Sequence, residues 1–248
     1  MRPTWDGARN LADLGGLELV AGGETRRGRV FRSAAREWMT DRGWGEARAA
    51  GVMTVVDLRN EMEHGRTRAH PAIDARSTAG VTIVGAPTED PTDADFLERC
   101  GPWLDHPCSW ADNLQMYPEK IARVLDAVGR STSPVLIHCA GGRDRTGMIG
   151  SLLLLLAGAT SDSIVANYEA GFRGAAEHRG HGWAFDPAND GWVLAADELW
   201  TDQELDAALA DRRPVLRDWV ETFDAEGYVV AAGVDDGTRR RLKGLLVE

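Results

Sequence analysis

The chain has 248 residues, 43% hydrophobic and 27% charged, and this balance predicts one globular domain over residues 1–248. A formal net charge of -11 argues against broad binding to nucleic acids or anionic membranes, which requires a surplus of Lys and Arg. The N-terminus has no signal-peptide core, and the longest apolar run, residues 148–159, is too short to span a bilayer. We therefore expect a cytoplasmic protein without stable membrane association.

The first half of the sequence predicts a hairpin followed by alternating helices and strands. Residues 16–33 contain two extended apolar stretches on either side of a Gly-rich turn, which favours a β-hairpin. Residues 40–51 begin with capping residues and end on a glycine, as a short helix does. Residues 52–59 and 81–87 are rich in β-branched and other apolar residues, which is typical of strands covered on both faces.

The second half continues this alternation. The predicted elements are, in chain order, a helix over 118–128, a third apolar strand over 133–139, an apolar and central helix over 146–158, a helix that starts at the capping residues 160–163, and helices over 202–225 and 235–246. Strands that alternate with helices predict an α/β fold, in which a central and mainly parallel sheet is flanked by helices.

A polar loop interrupts the pattern within VLIHCAGGRDRTG, residues 135–147. It follows the carboxyl end of the predicted strand, where open α/β sheets bind ligands, and the next helix directs its free N–H groups toward it. Gly141 and Gly142 can adopt positive φ values that turn successive N–H groups inward, and Arg145 can hold two oxygens in a fork. These features predict a site for a phosphate-like anion.

Cys139 begins this loop, close to arginines and to the helix N-terminus, a setting that favours a thiolate nucleophile. Its sulfur would attack phosphorus in line, form a cysteinyl-phosphate and release an alcohol or phenol. The backbone N–H groups of the loop, beginning with Ala140, and Arg145 would hold the other oxygens. We expect His138 to orient the loop and support the thiolate, and the Thr146 hydroxyl to hydrogen-bond the sulfur. This chemistry requires no metal and no other cofactor.

The segment HCAGGRDRTG resembles the His-Cys-x5-Arg signature of the cysteine-dependent protein tyrosine phosphatase superfamily. It is most similar to the bacterial branch that carries an Asp directly before the signature arginine, whose members act on phosphotyrosine, phosphoserine or phosphothreonine, and phosphoinositides. Four more segments resemble that branch in the same order, namely NLADLGG (10–16), GRVFRS (28–33), TVVDLR (54–59) and NYEAGF (167–172). The resemblance implies a phosphatase-like fold with a helical lid or cover, and hydrolysis of phosphoric monoesters.

The resemblance also implies a general acid. The leaving oxygen needs a proton, and members of this branch are thought to take it from the position of Asp144. In the wider superfamily the acid comes from a separate mobile loop. Here the segment TEDPTDAD offers Asp90, Asp93 and Asp95 as alternatives, and Asp57 at the end of its strand is another.

Two positions depart from the pattern of the branch. Arg143 stands where lysine is common, and because it keeps the charge but changes the reach, we expect it at the rim of the site, with an effect on substrate preference. Ala12 stands where arginine is common, which leaves one N-terminal contact in doubt. Asp57 and Arg59 are expected to form a structural ion pair, and Asp13 to tie the N-terminal segment to the sheet.

Residues 171–215 are the candidate lid. Their aromatic residues Trp183, Trp192 and Trp200 either line such a lid or serve in ordinary packing. His178 and His181 have a spacing of three but no acidic or thiol partner at a suitable interval, so they are interpreted as loop histidines rather than metal ligands. The three cysteines, Cys139 with Cys100 and Cys108, form no obvious disulfide framework, which indicates a reducing compartment.

The sequence therefore predicts a cysteine-dependent phosphomonoesterase whose partner is a phosphorylated protein or a small phosphoester. The acidic chain favours such substrates over a polyphosphoinositide. Two alternatives stay open. One is a phosphatase-like domain that binds phosphorylated ligands without turnover, and the other is sulfur or arsenate chemistry on a similar anion loop. The His before Cys139 and the Thr-Gly after Arg145 favour hydrolysis of phosphate esters.

Overall fold

The computed structural model describes residues 3–178, 183–186, 191–194 and 199–247. A five-stranded sheet is built from β1 (Ala12–Asp13), β2 (Val30–Ser33), β3 (Thr54–Asp57), β4 (Thr82–Gly85) and β5 (Val135–His138). The strands follow the order β1-β2-β5-β3-β4 across the sheet. Neighbouring strands from β2 to β4 run parallel, and β1 is antiparallel to β2. The predicted central and mainly parallel sheet is confirmed.

The helices are α1 (Asp41–Ala49), α2 (Ala94–Cys100), α3 (Trp110–Met116), α4 (Pro118–Gly129), α5 (Asp144–Ala157), α6 (Ser161–Ala176), α7 (Asp202–Thr222), α8 (Ala225–Ala231) and α9 (Asp236–Val247). The sequence predicts α1, α4, α5, α6, α7 and α9 but not α2, α3 or α8, because two turns are too short to set up a recognisable apolar period. Among the described residues, no helix has the length and apolarity needed to cross a membrane.

Helices pack on both faces of the sheet. Along β5, Val135 and Ile137 enter the core cluster that contains α5, whereas Leu136 joins the cluster under α1 with Trp44 and Val55. This alternation is the two-residue period of a strand covered on both sides. Nearly every side chain of α5 is buried, and the helix contacts β2, β5, α6, α8 and α9. The predicted central position of this helix is confirmed.

The predicted hairpin over residues 16–33 is wrong in its pairing. β2 pairs with β1 on one side and with β5 on the other, so its hydrogen-bonding edges are both occupied. The earlier stretch turns instead toward the junction of α5 and α6. Leu19 bridges Ala159, and the N–H of Val20 donates to the carbonyl of Gly158 at 2.9 Å. Within the expected hairpin, Glu18 and Glu24 form only an isolated antiparallel β-bridge.

Two further expectations need correction or remain open. β4 is an edge strand that is largely exposed and pairs with β3 alone, so it is not covered on both faces. Within the predicted lid segment the backbone forms β6 (Trp183–Asp186) and β7 (Gly191–Leu194), an antiparallel pair. Residues 179–182, 187–190 and 195–198 lie outside the described part of the chain, and with them His181. A lid function stays a prediction.

Candidate active site

The carboxyl ends of three parallel strands meet at one edge of the sheet. Ser33 at the end of β2, His138 at the end of β5 and Asp57 at the end of β3 stand side by side in register. The polar loop continues from β5 through Cys139 and enters α5 at Asp144. The predicted position of the loop, between a buried strand and the central helix, is thus correct.

Hydrogen bonds from residues outside the loop fix the orientation of its peptide groups. The Asn10 amide donates to the carbonyls of Gly141 at 2.9 Å and Gly142 at 3.0 Å, and the N–H of Ala35 donates to the carbonyl of Ala140 at 2.9 Å. In a trans peptide the carbonyl and the following N–H point in opposite directions. The three N–H groups that follow these carbonyls therefore face the interior of the loop, and no hydrogen bond between described residues uses them.

Gly142 is the position where the loop requires glycine. Its φ is 68°, and a Cβ built there would lie 2.5 Å from the backbone carbonyl of Ser33. The next residue, Arg143, has a right-handed helical backbone, so the pair forms the left-then-right sequence of an anion-binding nest. Arg32 donates to the Gly142 carbonyl at 3.2 Å from the opposite side. These restraints shape the loop backbone into a concave surface, and its N–H groups face the inside.

Cys139 lies at the base of the loop with 2% of its surface exposed. Its neighbour His138 is fully buried, with Nδ1 3.2 Å from the Cys139 carbonyl and Nε2 3.5 Å from a carboxylate oxygen of Asp57. Burial lowers the pKa of His138 to about 4, although Asp57 opposes this shift. The imidazole is therefore neutral at pH 7, so it can support a thiolate by orientation but not by charge.

Thr146 is buried, and its hydroxyl has no hydrogen-bond partner among the described residues. The predicted bond between this hydroxyl and the Cys139 sulfur is therefore not made in this structure. A buried hydroxyl without a partner is costly, and such groups are satisfied when a ligand supplies the missing atom.

Beneath the loop lies a closed group of charges, which we call the Asp57 cluster (Glu37, Asp57 and Arg59). Arg59 holds Asp57 in a fork, with Nε to Oδ1 at 2.9 Å and Nη2 to Oδ2 at 2.7 Å, and the same Nη2 is 2.9 Å from Glu37. These three side chains are at most 4% exposed. Burial alone would raise the pKa of Asp57, but the hydrogen bonds and charge of Arg59 outweigh it and hold that pKa well below its ordinary value. The predicted ion pair is present.

A second group, the Arg145 cluster (Arg145, Glu63 and Glu89), lies at the first turn of α5. Arg145 forks onto Glu63, with Nη1 to Oε2 at 2.5 Å and Nη2 to Oε1 at 2.7 Å, and its Nη1 is 3.3 Å from Glu89 Oε1. Side-chain exposure is 14% for Arg145, 8% for Glu63 and 7% for Glu89. The guanidinium predicted to bind an anion is already surrounded by two carboxylates.

The two carboxylates of this cluster differ in their pKa. Burial would raise the pKa of Glu63, but the charge and hydrogen bonds of Arg145 outweigh it, and the pKa lies below its ordinary value. Burial raises the pKa of Glu89, because the opposing charge of Arg145 is offset by Glu63 and Asp144. Sequence reasoning missed both glutamates, although Glu89 lies within TEDPTDAD, the segment whose aspartates were considered for the general acid.

Asp144 is the first residue of α5 and pairs with its neighbour. Nε of Arg143 is 2.9 and 3.1 Å from the two carboxylate oxygens of Asp144. Burial raises the pKa of Asp144, with Arg143 opposing the shift. A carboxyl with a raised pKa is suited to donate a proton, since it keeps that proton nearer to neutral pH.

Arg143 directly precedes α5 and has 24% of its side chain exposed, and its place at the rim of a substrate site stays a prediction. Its guanidinium carbon lies 5.0 Å from the ring centroid of Phe172, and its Nη2 is 3.8 Å from Asp105. Arg212 on α7 contacts the same two residues, at 5.0 Å from the ring and 2.9 Å from the Asp105 carboxylate. Arg212 was not predicted, because nothing in its local sequence distinguishes it from other helix arginines.

The alternative acids of the segment after β4 are engaged elsewhere. Asp90 accepts from the N–H and hydroxyl of Thr92, and Asp93 caps α2 and accepts from the Tyr117 hydroxyl at 2.8 Å. Asp95 is exposed in the first turn of α2. No contact between described residues joins these three aspartates to Arg145.

Asp13 occupies the expected position. One of its carboxylate oxygens accepts from the N–H of Gly15 at 2.9 Å, and the other accepts from the N–H of Gly28 at 2.7 Å. It thereby ties the chain after β1 to the residues before β2.

Trp200, a candidate lid residue, is 39% exposed and has its ring 5.6 Å from that of Phe172 in an edge-on arrangement. All three cysteines are free thiols.

The structure thus combines a mainly parallel sheet flanked by helices with a backbone nest after a central strand and an arginine in the first turn of the next helix, which is an α/β fold of the phosphatase type. The sequence matches the tyrosine phosphatase family over residues 3–248, so the chain belongs to that family of enzymes.

Individual proteins are also similar to this chain. The chain is 27% identical to the triple specificity protein phosphatase PtpB of Mycobacterium tuberculosis, over 97% of each chain. It is 30% identical to a protein of Cupriavidus necator that is assigned to the tyrosine-protein phosphatases, over 66% of this chain and 60% of that protein. The alignment with the solved structure of TpbA from P. aeruginosa bound to phosphotyrosine covers 84% of this chain and 88% of that one, at 16% identity and a TM-score of 0.40.

Proposed function

We propose that this protein hydrolyses phosphoric monoesters through a cysteinyl-phosphate on Cys139. The observation that carries this proposal is the loop itself, in which three carbonyls are held outward by Asn10 and Ala35 and the following N–H groups face inward above the sulfur-bearing residue. Oriented donors of this kind stabilise the equatorial oxygens of a phosphoryl group in the transition state. Membership of the tyrosine phosphatase family supports the same chemistry.

The reaction has two steps. The Cys139 thiolate attacks phosphorus, a sulfur–phosphorus bond forms, and the bond from phosphorus to the ester oxygen breaks while Asp144 gives that oxygen a proton. Water then attacks phosphorus, the sulfur leaves as thiolate, and Asp144 takes a proton from the water. Arg145 and the loop N–H groups hold the same three oxygens in both steps. His138 orients the loop as a neutral imidazole.

Phosphotyrosine is the primary substrate in this proposal, with phosphoserine, phosphothreonine or phosphoinositide as further substrates. The similarity to PtpB, whose name states triple specificity, supports this breadth. The net charge of -11 favours phosphopeptides and small phosphoesters over polyphosphoinositides. Free thiols at Cys100, Cys108 and Cys139 agree with the proposed cytoplasmic location.

A substrate panel tests the proposal. Wild type is expected to hydrolyse p-nitrophenyl phosphate and phosphotyrosine in EDTA, and Cys139→Ser is expected to be inactive on both. Full activity in Cys139→Ser, or loss of wild-type activity on chelation, would contradict the thiolate mechanism. Binding of phosphopeptide without a single-turnover intermediate would favour the non-catalytic alternative. Turnover of thiosulfate or arsenate in place of phosphate esters would favour sulfur or arsenate chemistry.

A further inference from the structure

The Arg145 cluster carries more negative than positive charge. One guanidinium faces two carboxylates, those of Glu63 and Glu89, and none of these side chains is more than 14% exposed. A phosphate monoester dianion would add two negative charges beside them. At this level of burial, like charges interact strongly, and buried carboxylates that cannot all ionise together keep a proton. Binding of the dianion therefore requires compensation within the cluster.

Glu63 is poorly placed to supply that compensation. Both of its oxygens are held by Arg145, and Oε2 also accepts the backbone N–H of Asn60 at 2.9 Å. Each of these partners donates an N–H to a Glu63 oxygen. A proton on the carboxylate would therefore break at least one of these hydrogen bonds. Glu63 stays ionised and keeps the guanidinium in place.

Glu89 differs from Glu63 in its contacts. It has one long contact with Arg145, at 3.3 Å, where Glu63 has two short ones. It sits on the segment after β4, and the charged groups that face it are Arg145 and Asp144 of α5 and Glu63 of the short 3-10 helix Glu61–Glu63. The Asn60 side chain also makes a hydrogen bond with it. Of the three charged groups, only Arg145 favours the ionised form of Glu89. Burial with these neighbours raises its pKa, in agreement with the geometry.

We propose that Glu89 is a positioning residue that takes up one proton from solvent when a dianionic phosphate ester binds. Arg145 can then donate to the ester the N–H groups that the ionised Glu89 would otherwise attract. This inference rests on the proposed function and deepens it. The substrate enters together with a proton that is distinct from the one Asp144 delivers to the leaving oxygen. As a neutral carboxyl, Glu89 no longer repels the ester, and its O–H can donate a hydrogen bond.

The test is the pH dependence of sulfate binding in a Cys139→Ser background. Sulfate remains a dianion from pH 5.5 to 8, and serine removes the titration of the thiol, so any pH dependence belongs to the remaining groups of the protein. The Kd for sulfate is expected to rise with pH, approaching tenfold per unit, because a proton must be bound with the anion. Adding Glu89→Gln, which mimics the neutral carboxyl, should flatten this dependence and tighten binding at least tenfold at pH 8. Adding Glu98→Gln, an exposed glutamate of α2, should leave the pH dependence unchanged.

Other outcomes would overturn the inference. If Asp144→Asn removes the pH dependence and Glu89→Gln retains it, the proton belongs to Asp144. If sulfate binds with the same Kd at every pH, no proton is coupled to binding, and the anion loop of the proposed function survives without this inference. If sulfate binds to none of the variants, both fail together.

A second measurement does not depend on the folding of the Glu89 variant. Calorimetry of sulfate binding to Cys139→Ser protein at pH 7.5, in two buffers with different ionisation enthalpies, should report uptake of close to one proton per sulfate bound. Uptake near zero would overturn the inference.

Discussion

Two buried arginine–carboxylate clusters lie beside the loop after β5, and they differ in charge balance. In the Asp57 cluster, Arg59 holds Asp57 and Glu37, and Arg36, which lies beside the cluster at 3.6 Å from Glu37, brings a second positive charge that balances it. In the Arg145 cluster, one arginine meets two glutamates. The balanced cluster is closed and supports the loop from below. The unbalanced cluster is the one suited to respond when an anion arrives.

The same difference appears in how each cluster responds to acid. Asp57 and His138, in contact at the base of the loop, both have a lowered pKa, so protonation opposes the folded state there. Glu89 has a raised pKa, so protonation favours the folded state at that position. Protonation is thus expected to lower the stability of the folded protein at the Asp57 cluster and to raise it at Glu89. Substitutions can disturb each cluster separately.

The largest expected effect is on stability, from Arg59→Met. Removing the cation leaves Asp57 and Glu37 buried without it, and breaking a buried pair in this way costs about 3–5 kcal/mol in the free energy of unfolding. Urea denaturation at pH 7 measures it. Arg42→Met, which removes an exposed ion pair with Asp6, is the control and should cost far less. Equal losses in the two variants would contradict the structural role of the Asp57 cluster.

The second effect is on activity, from Arg145→Lys. Lysine keeps a positive charge for Glu63 and Glu89 but cannot hold two oxygens in a fork. We expect kcat/KM for p-nitrophenyl phosphate to fall roughly 10²–10³-fold, as when an oriented transition-state donor is lost. Denaturation should show a much smaller change than in Arg59→Met. A variant that keeps its activity but loses stability would reverse the roles given to the two clusters.

The third effect separates the proton for the leaving group from the proton of the Arg145 cluster. Asp144→Asn should lower kcat/KM about 10²-fold for phosphotyrosine, and much less for p-nitrophenyl phosphate, because kcat/KM reports the first step, in which p-nitrophenolate leaves without a proton. Glu89→Gln should not change the ratio between these two substrates. If Glu89→Gln changes that ratio and Asp144→Asn does not, the acid is Glu89.

The smallest effect is the pH dependence of stability that His138 contributes. Its folded pKa of about 4 is below the unfolded value of roughly 6.5, so its contribution falls by roughly 2 kcal/mol between pH 6.5 and 5. Urea denaturation of wild type and of His138→Asn at these two pH values measures the difference. An unchanged pH dependence in His138→Asn would contradict a neutral buried imidazole.

The sequence predicts the parts of the site that are adjacent in the chain. Cys139, Gly142 and Arg145 lie within residues 139–145, and their spacing between an apolar strand and an apolar helix already indicates an anion site. The strands β3 and β5 were predicted for the same reason, since each is a short apolar run with polar residues directly after it. These local patterns carry their own physical explanation.

The parts that were missed depend on contacts between distant segments. Asn10, which holds two loop carbonyls from more than 130 positions away, has no local feature that would reveal this role. Glu63 and Glu89 meet Arg145 only because the segments after β3 and β4 end at the same edge of the sheet. The hairpin error has a similar origin, because the pairing of β2 with β1 and β5 is decided by the whole sheet.

The central claim is that Cys139 carries the phosphoryl group during turnover. Wild-type protein mixed with excess phosphotyrosine and quenched in acid within milliseconds is expected to show a phosphoryl adduct by mass spectrometry, located on the Cys139 peptide and absent from Cys139→Ser. With p-nitrophenyl phosphate, whose leaving group needs no proton, the adduct should accumulate further in Asp144→Asn, because activation of the water is slowed. Turnover by a Cys139→Ser protein, or an adduct on any other residue, would contradict the account.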